Sequence, residues 1–158
     1  MRIGFGYDVH RLTVGRELWL GGVKIDCELG LDGHSDADVL IHAICDALLG
    51  AAGLRDIGYH FPDSNADFRN IDSKILLAKT IQLVRAEGFE IENIDSTICA
   101  EKPKISPFID EIKKTLAQVL KIPQKDIGIK ATTNEKLGFV GREEGIAAYA
   151  VALLNKVP

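Results

Sequence analysis

The chain has 158 residues, the usual size of one domain and enough to bury a core. Apolar residues make up 46% and charged residues 27%, the proportions of an ordinary soluble globular protein, and no apolar run approaches the roughly eighteen residues of a membrane span. A net charge of −4 leaves no electrostatic footprint for nucleic acid or an anionic membrane, so an anionic ligand would need metals or individual Lys and Arg residues. Cys27, Cys45 and Cys99 are odd in number and never form a C-x-x-C pair, which fits buried thiols in a reducing compartment. The N-terminus starts at once with strand-like residues and has no apolar leader, so a cytoplasmic protein or a trimmed mature form is expected.

Residues 2–10 read as a first strand ending in Tyr7-Asp8-Val9-His10. In extended backbone Asp8 and His10 project to the same side, about 6–7 Å apart, and can close on one ion. Trp19 to Val23 reads as strand, tight turn, strand. Gly30 to Gly33 leads into the stretch that organises the chain, His34 to Asp46, a helix with Ser35 as its polar cap. Val39, Leu40, Ala43, Ile44, Ala47, Leu48 and Ala51 recur at helical spacing, and Gly50 and Gly53 end the run. Asp38, His42 and Asp46 share one stripe of that helix. The stripe is either a solvated polar face or a metal-binding imidazole with carboxylates behind it. His42 is the natural third partner of Asp8 and His10, giving two imidazoles and a carboxylate, the open zinc site of catalysis. All four histidines lie between His10 and His60, so metal chemistry is expected in the first third.

Residues 54–72 form a turn-rich polar loop, functional or a plain surface connection. A second helix opens at Asp72-Ser73 and stops at Gly88. Residues 91–100 read as a strand, and Ser106-Pro107 as a cap and first position of a third helix that ends before Pro123. Ile127 to Thr133 is a further strand. Gly145 to Leu154 is continuously apolar, a strand or a buried helix. Strands and helices alternate without repeat or linker, which points to one two-layer domain, α/β or α+β.

Several motifs now read together: Gly6 to Leu12, His34 to Val39, Asp46 to Ala52, Asp56-Ile57-Gly58, Phe61-Pro62-Asp63, and Ala131 to Phe139. Over essentially its whole length the chain resembles the 2-C-methyl-D-erythritol 2,4-cyclodiphosphate synthase family of non-mevalonate isoprenoid biosynthesis. The resemblance implies an α+β fold, a two-layer α/β sandwich with helices on one face of one sheet, assembled as a homotrimer. It implies a bacterial cytoplasmic or plastid stromal enzyme. It also implies that the 2-phosphate of 4-diphosphocytidyl-2-C-methyl-D-erythritol 2-phosphate attacks the β-phosphate and releases CMP. Zinc would sit on Asp8, His10 and His42, with Asp46 as the partner holding His42. Ser35, Asp56, Ile57, Gly58, Phe61, Pro62, Asp63, Ser64 and Asn65 would line the diol phosphate pocket. Ala100, Glu101, Lys102, Pro103, Lys104, Ile105, Ser106, Thr132, Thr133, Asn134 and Glu135 would receive the cytidine diphosphate. Glu135 would also hold magnesium or manganese.

His34 is either a residue beside a helix cap or a phosphate donor, and the resemblance favours the donor. Thr133 lies in a turn that can satisfy itself, or offers its hydroxyl to a phosphate. Phe139 and Arg142 resemble a segment lining a cavity on the threefold axis, where an isoprenoid diphosphate would bind; otherwise Arg142 pairs with Glu143 or Glu144. Asn134 and Asn65 depart from the family pattern, and residues 101–106 keep only its Pro-Lys. No Ser-His-Asp order, reactive-cysteine motif or P-loop offers another route. A zinc phosphohydrolase and a non-catalytic module binding metal and CDP remain the rival readings.

Overall fold

A computed structural model describes residues 1–157. Strand β1 (Arg2–Val14) is followed by a hairpin, β2 (Leu18–Leu20) and β3 (Val23–Ile25), and by β4 (Leu29–Leu31). Then come α1 (Val39–Ala52), α2 (Ile57–His60), α3 (Ser73–Ala86) and β5 (Phe89–Cys99). The chain continues through α4 (Ile109–Leu120), β6 (Ile127–Thr132), α5 (Gly138–Gly141) and β7 (Gly145–Lys156). The main sheet has five strands in the order β4-β1-β7-β5-β6, antiparallel except for the β5–β6 pair. The expected α+β sheet with helices is therefore present. Among the described residues no helix is long and apolar enough to cross a membrane.

Helix α1 lies across β1 and β7. Its Leu40, Ile41, Ile44, Leu48 and Leu49 are fully enclosed, each worth roughly 1.5–3 kcal/mol of burial. Only His42, Asp46 and Gly50, one stripe four residues apart, escape burial on this helix. The sheet is approached through glycine: a Cβ on Gly4 would lie 2.0 Å from the Ala47 carbonyl oxygen, and one on Gly6 1.9 Å from that of Ala43.

Several expected boundaries move. The α1 cap is Asp38, not Ser35; the Asp38 carboxylate accepts from the Ile41 N–H and from those of Gly21 and Gly22 in the β2–β3 turn. Ser35 instead accepts from the Ala37 N–H two residues on. Gly50 is inside the helix, and Gly53, at φ 78°, ends it. Residues 54–72 contain α2 and a 3-10 turn, Ala66–Phe68, rather than loop alone. Ser106 caps nothing: a 3-10 turn over Ser106–Phe108 leads into α4. The apolar run after Gly145 is a strand, because it pairs with both β1 and β5 at the middle of the sheet.

Candidate metal centre

Strand parity builds one half of the site. Gly4 and Gly6 on β1 face α1, so Asp8 and His10, two and four residues on, share the helix side. His42 leaves α1 one residue before the Ala43 carbonyl that touches Gly6. Asp8 Oδ2, His10 Nε2 and His42 Nδ1 then form a triangle with sides of 2.9, 3.0 and 3.1 Å.

The outer ring nitrogens determine what faces inward. His10 Nδ1 lies 2.7 Å from the Asp32 carbonyl oxygen, which only accepts, so Nδ1 carries the hydrogen and Nε2 presents its lone pair. His42 Nε2 lies 2.9 Å from Ser73 Oγ and 3.2 Å from Ser35 Oγ. The Ser73 hydroxyl donates to Asp36, so it accepts from His42 Nε2–H and leaves Nδ1 bare. Three lone pairs converge on one point, which requires a cation or a proton between them. Zinc bonded to N and O at about 2.0–2.2 Å separates its ligand atoms by about 3.3 Å, close to this triangle. Burial opposes the charge of a protonated His10, but the hydrogen bond and charge of Asp8 outweigh that and raise its proton affinity. Burial likewise pushes the Asp8 carboxyl up, and hydrogen bonds from His10 and His42 overcome it, bringing it down to about 2.

The triangle forms part of the wall of a cavity of about 440 Å³. Of the residues expected around the diol, His34, Ser35, Ile57, Gly58, Phe61, Pro62, Asp63 and Ser64 line it, joined by Gly33, Phe68 and Leu76, which sequence reasoning missed. Asp56 and Asn65 do not line it. Asp56 precedes α2, and the Asn65 side chain accepts from the Asp67 N–H to cap the 3-10 turn. Asp46, expected to hold His42, accepts from the Ile57 N–H at 2.7 Å instead. Burial, then the charges of Asp56 and Asp8, raise its carboxyl above the usual range. Ser73 and Asp36 take the place behind His42. Ser73 read only as a helix start, and the one signal for Asp36 was its position inside the His34 to Val39 motif.

The expected nucleotide residues come together elsewhere. Ala100 N–H donates to the Thr132 carbonyl, and Glu101 Oε1 accepts from the Asn134 and Lys136 N–H groups. Glu101 thus holds the loop carrying Glu135, whose φ of 51° is left-handed. Thr133 Oγ1 accepts from the Glu135 N–H at 3.3 Å, the self-satisfied turn. Lys102 pairs with Glu143 at 3.1 Å. None of residues 100–106 or 132–135 lines the metal cavity. Arg142 pairs with Glu144 through two hydrogen bonds of 3.0 and 3.2 Å, and Phe139 is exposed beside it on α5. Cys45 is buried, which pushes its thiol up to about 12, while Cys27 and Cys99 are half-buried.

A sheet covered by helices, with an Asp–His–His group able to hold a metal ion in the wall of a cavity, defines an enzyme class with a candidate metal site. The model described as the YgbB family matches residues 1–155, and the chain belongs to that family. It is 64% identical over 156 residues to the 2-C-methyl-D-erythritol 2,4-cyclodiphosphate synthase of Phocaeicola vulgatus, covering 99% of this chain and 98% of that one. Its fold matches the bifunctional IspDF of Campylobacter jejuni with a TM-score of 0.95 and 44% identity; 98% of this chain is covered but only 42% of that longer one. IspF of Plasmodium falciparum, solved in complex with CDP, matches with a TM-score of 0.88 and 38% identity over 99% of this chain and 97% of its own.

Proposed function

We infer that this chain is a cyclodiphosphate synthase: it converts 4-diphosphocytidyl-2-C-methyl-D-erythritol 2-phosphate to 2-C-methyl-D-erythritol 2,4-cyclodiphosphate and CMP. The observation that carries this reading is the Asp8–His10–His42 triangle in the cavity wall, in a chain so similar to curated synthases. An oxygen of the 2-phosphate bonds to the β-phosphorus, the bond from that phosphorus to the bridging oxygen breaks, and CMP leaves with the electron pair. The nucleophile is already anionic, so no strong general base is needed. Zinc on the triangle and magnesium or manganese on Glu135 would supply Lewis-acid polarisation and charge neutralisation at the diphosphate.

The protein groups do the positioning. His34 and Ser35 orient the 2-phosphate beside the triangle, and Ile57 to Ser64 hold the diol. Ala100 to Ser106 and Thr132 to Glu135 receive the cytidine diphosphate, with the Thr133 hydroxyl released from its turn to meet a phosphate. Holding attacker and target in one pose can by itself be worth about 7–11 kcal/mol. Phosphorus NMR of the product tests the reaction. A cyclic diphosphate with CMP is expected; inorganic phosphate would identify a zinc phosphohydrolase, and binding of CDP without turnover a non-catalytic module.

The same reading includes a homotrimer with each active site between two chains. Ile3, Phe5, Tyr7 and Val9 on β1, with Tyr149 and Val151 on β7, form an apolar sheet face left exposed by a single chain, the mark of an interface. It also includes an isoprenoid diphosphate on the threefold axis. There the diphosphate would take Arg142 from Glu144, with the chain along Phe139.

A further inference from the structure

We propose that Ser73 and Asp36 are positioning residues for the metal centre, a buried hydroxyl–carboxylate pair that fixes the His42 tautomer and leaves the Ser35 hydroxyl free for the substrate. Ser73 is fully buried at the first position of α3. Its hydroxyl has one hydrogen, and the Asp36 carboxylate, which can only accept, takes it at 2.5 Å. What Ser73 turns toward His42 is therefore a lone pair, and the ring must donate from Nε2. Asp36 cannot swing away. One oxygen also accepts from the Asp38 N–H at 3.2 Å and the other from the Ser73 N–H at 2.9 Å. The backbone N–H of Asp36 is itself held by the Ile71 carbonyl at 3.1 Å.

Two serine hydroxyls lie near the same ring nitrogen, and their duties separate. Ser73 is the nearer, at 2.9 Å against 3.2 Å, and does not line the metal cavity. Ser35 lines that cavity, and both of its contacts, with the Ala37 N–H and with His42 Nε2–H, use its oxygen as an acceptor. Its own hydrogen is uncommitted and available to a phosphate oxygen. The pair also ties two parts of the site together, because Ser73 begins α3 at the end of the connection 54–72, which carries the cavity-lining residues between Ile57 and Ser64. Hydrogen bonds of this kind behind a metal-bound imidazole orient the ring and raise its basicity.

The proposal rests on the zinc reading above, and the measurements separate the two. Elemental analysis of wild type tests zinc alone. Nitrogen-15 NMR of the His42 ring, recorded with and without added zinc, tests the relay in the native chain. A hydrogen on Nε2 is expected in both samples, and a ring protonated at Nδ1 instead overturns the relay. Chelator competition on Ser73→Ala should show zinc bound roughly 10–100-fold more weakly, with circular dichroism unchanged. Ser35→Ala should keep wild-type zinc affinity and show a raised KM. Wild-type zinc affinity in folded Ser73→Ala overturns the proposal. If Ser73→Ala does not fold, Asp36→Asn is read in the same assay, with the same loss expected and unchanged affinity again overturning it.

Discussion

His42 is the residue through which helix α1, strand β1 and the start of α3 meet, since its two ring nitrogens have partners on opposite sides. His42→Ala is expected to abolish zinc binding and turnover while leaving the fold in place, because the position is only partly buried in the cavity wall. Elemental analysis of the purified variant checks this, and retained stoichiometric zinc would overturn the ligand set. Asp46, one turn further, behaves differently. Its carboxyl is raised in the folded state, so its charge costs stability above the folded pKa, and that cost is gone below the unfolded value near 4. Asp46→Asn keeps an oxygen for the Ile57 N–H. It should be at least as stable as wild type at pH 7, with the advantage fading as the solution is acidified toward about pH 4. Its zinc affinity should be unchanged, since Asp46 makes no hydrogen bond to His42. Thermal melts across that pH range and a zinc titration check both halves; a roughly 10–100-fold weaker affinity would restore Asp46 to the role of holding His42.

At the scale of elements, the contact between β1 and α1 positions the site. Gly6→Ala places a methyl where the Ala43 carbonyl oxygen stands, and two backbones must separate to admit it. The expected result is a loss of about 1–3 kcal/mol from overpacking, with zinc affinity falling as Asp8 and His42 move apart. Denaturant titration and chelator competition measure the two effects. Zinc binding at wild-type strength would show that the triangle does not depend on this approach. Asp38 is the complementary clamp, fully buried and accepting three N–H groups that tie α1 to the β2–β3 turn. Asp38→Ala leaves those donors without a partner and should cost at least about 2 kcal/mol, read as a lowered denaturant midpoint.

For the whole molecule, the expectation concerns where the two halves of the site meet. The metal cavity and the Glu101–Glu135 loop each form within one chain, yet the loop lines none of that cavity. Inactive His42→Ala and inactive Glu135→Ala chains, unfolded and refolded together, should recover activity. Random mixing leaves about a quarter of shared sites with both halves intact. A dead mixture whose mixed trimers are confirmed by native mass spectrometry would place each site within a single chain. Phe5→Asp, on the exposed sheet face, should shift the protein toward monomers in sedimentation and remove activity with the trimer.

The grouping of Asp8, His10 and His42 was legible in the sequence because its geometry is local. Asp8 and His10 share a face through strand parity, and His42 belongs to a strongly patterned helix. Residues 56–65 and Glu135 could be singled out only through family motifs, since nothing in turn-rich polar sequence says what it surrounds. Tertiary structure decided the rest. Asp38, Asp46 and His42 look equivalent on a helical stripe, but the β2–β3 turn claims Asp38, the start of α2 claims Asp46, and only His42 faces β1. Ser35 had the hydroxyl of a cap, yet the glycine amides drew Asp38 into that position. Ser73 gained its contact with His42 from the packing of α3 against α1, a relation between residues 31 positions apart that no local pattern encodes. The same holds for the run after Gly145. Its apolar content was plain in the sequence, but a strand rather than a helix follows from the two partner edges, β1 and β5, that supply its backbone hydrogen bonds.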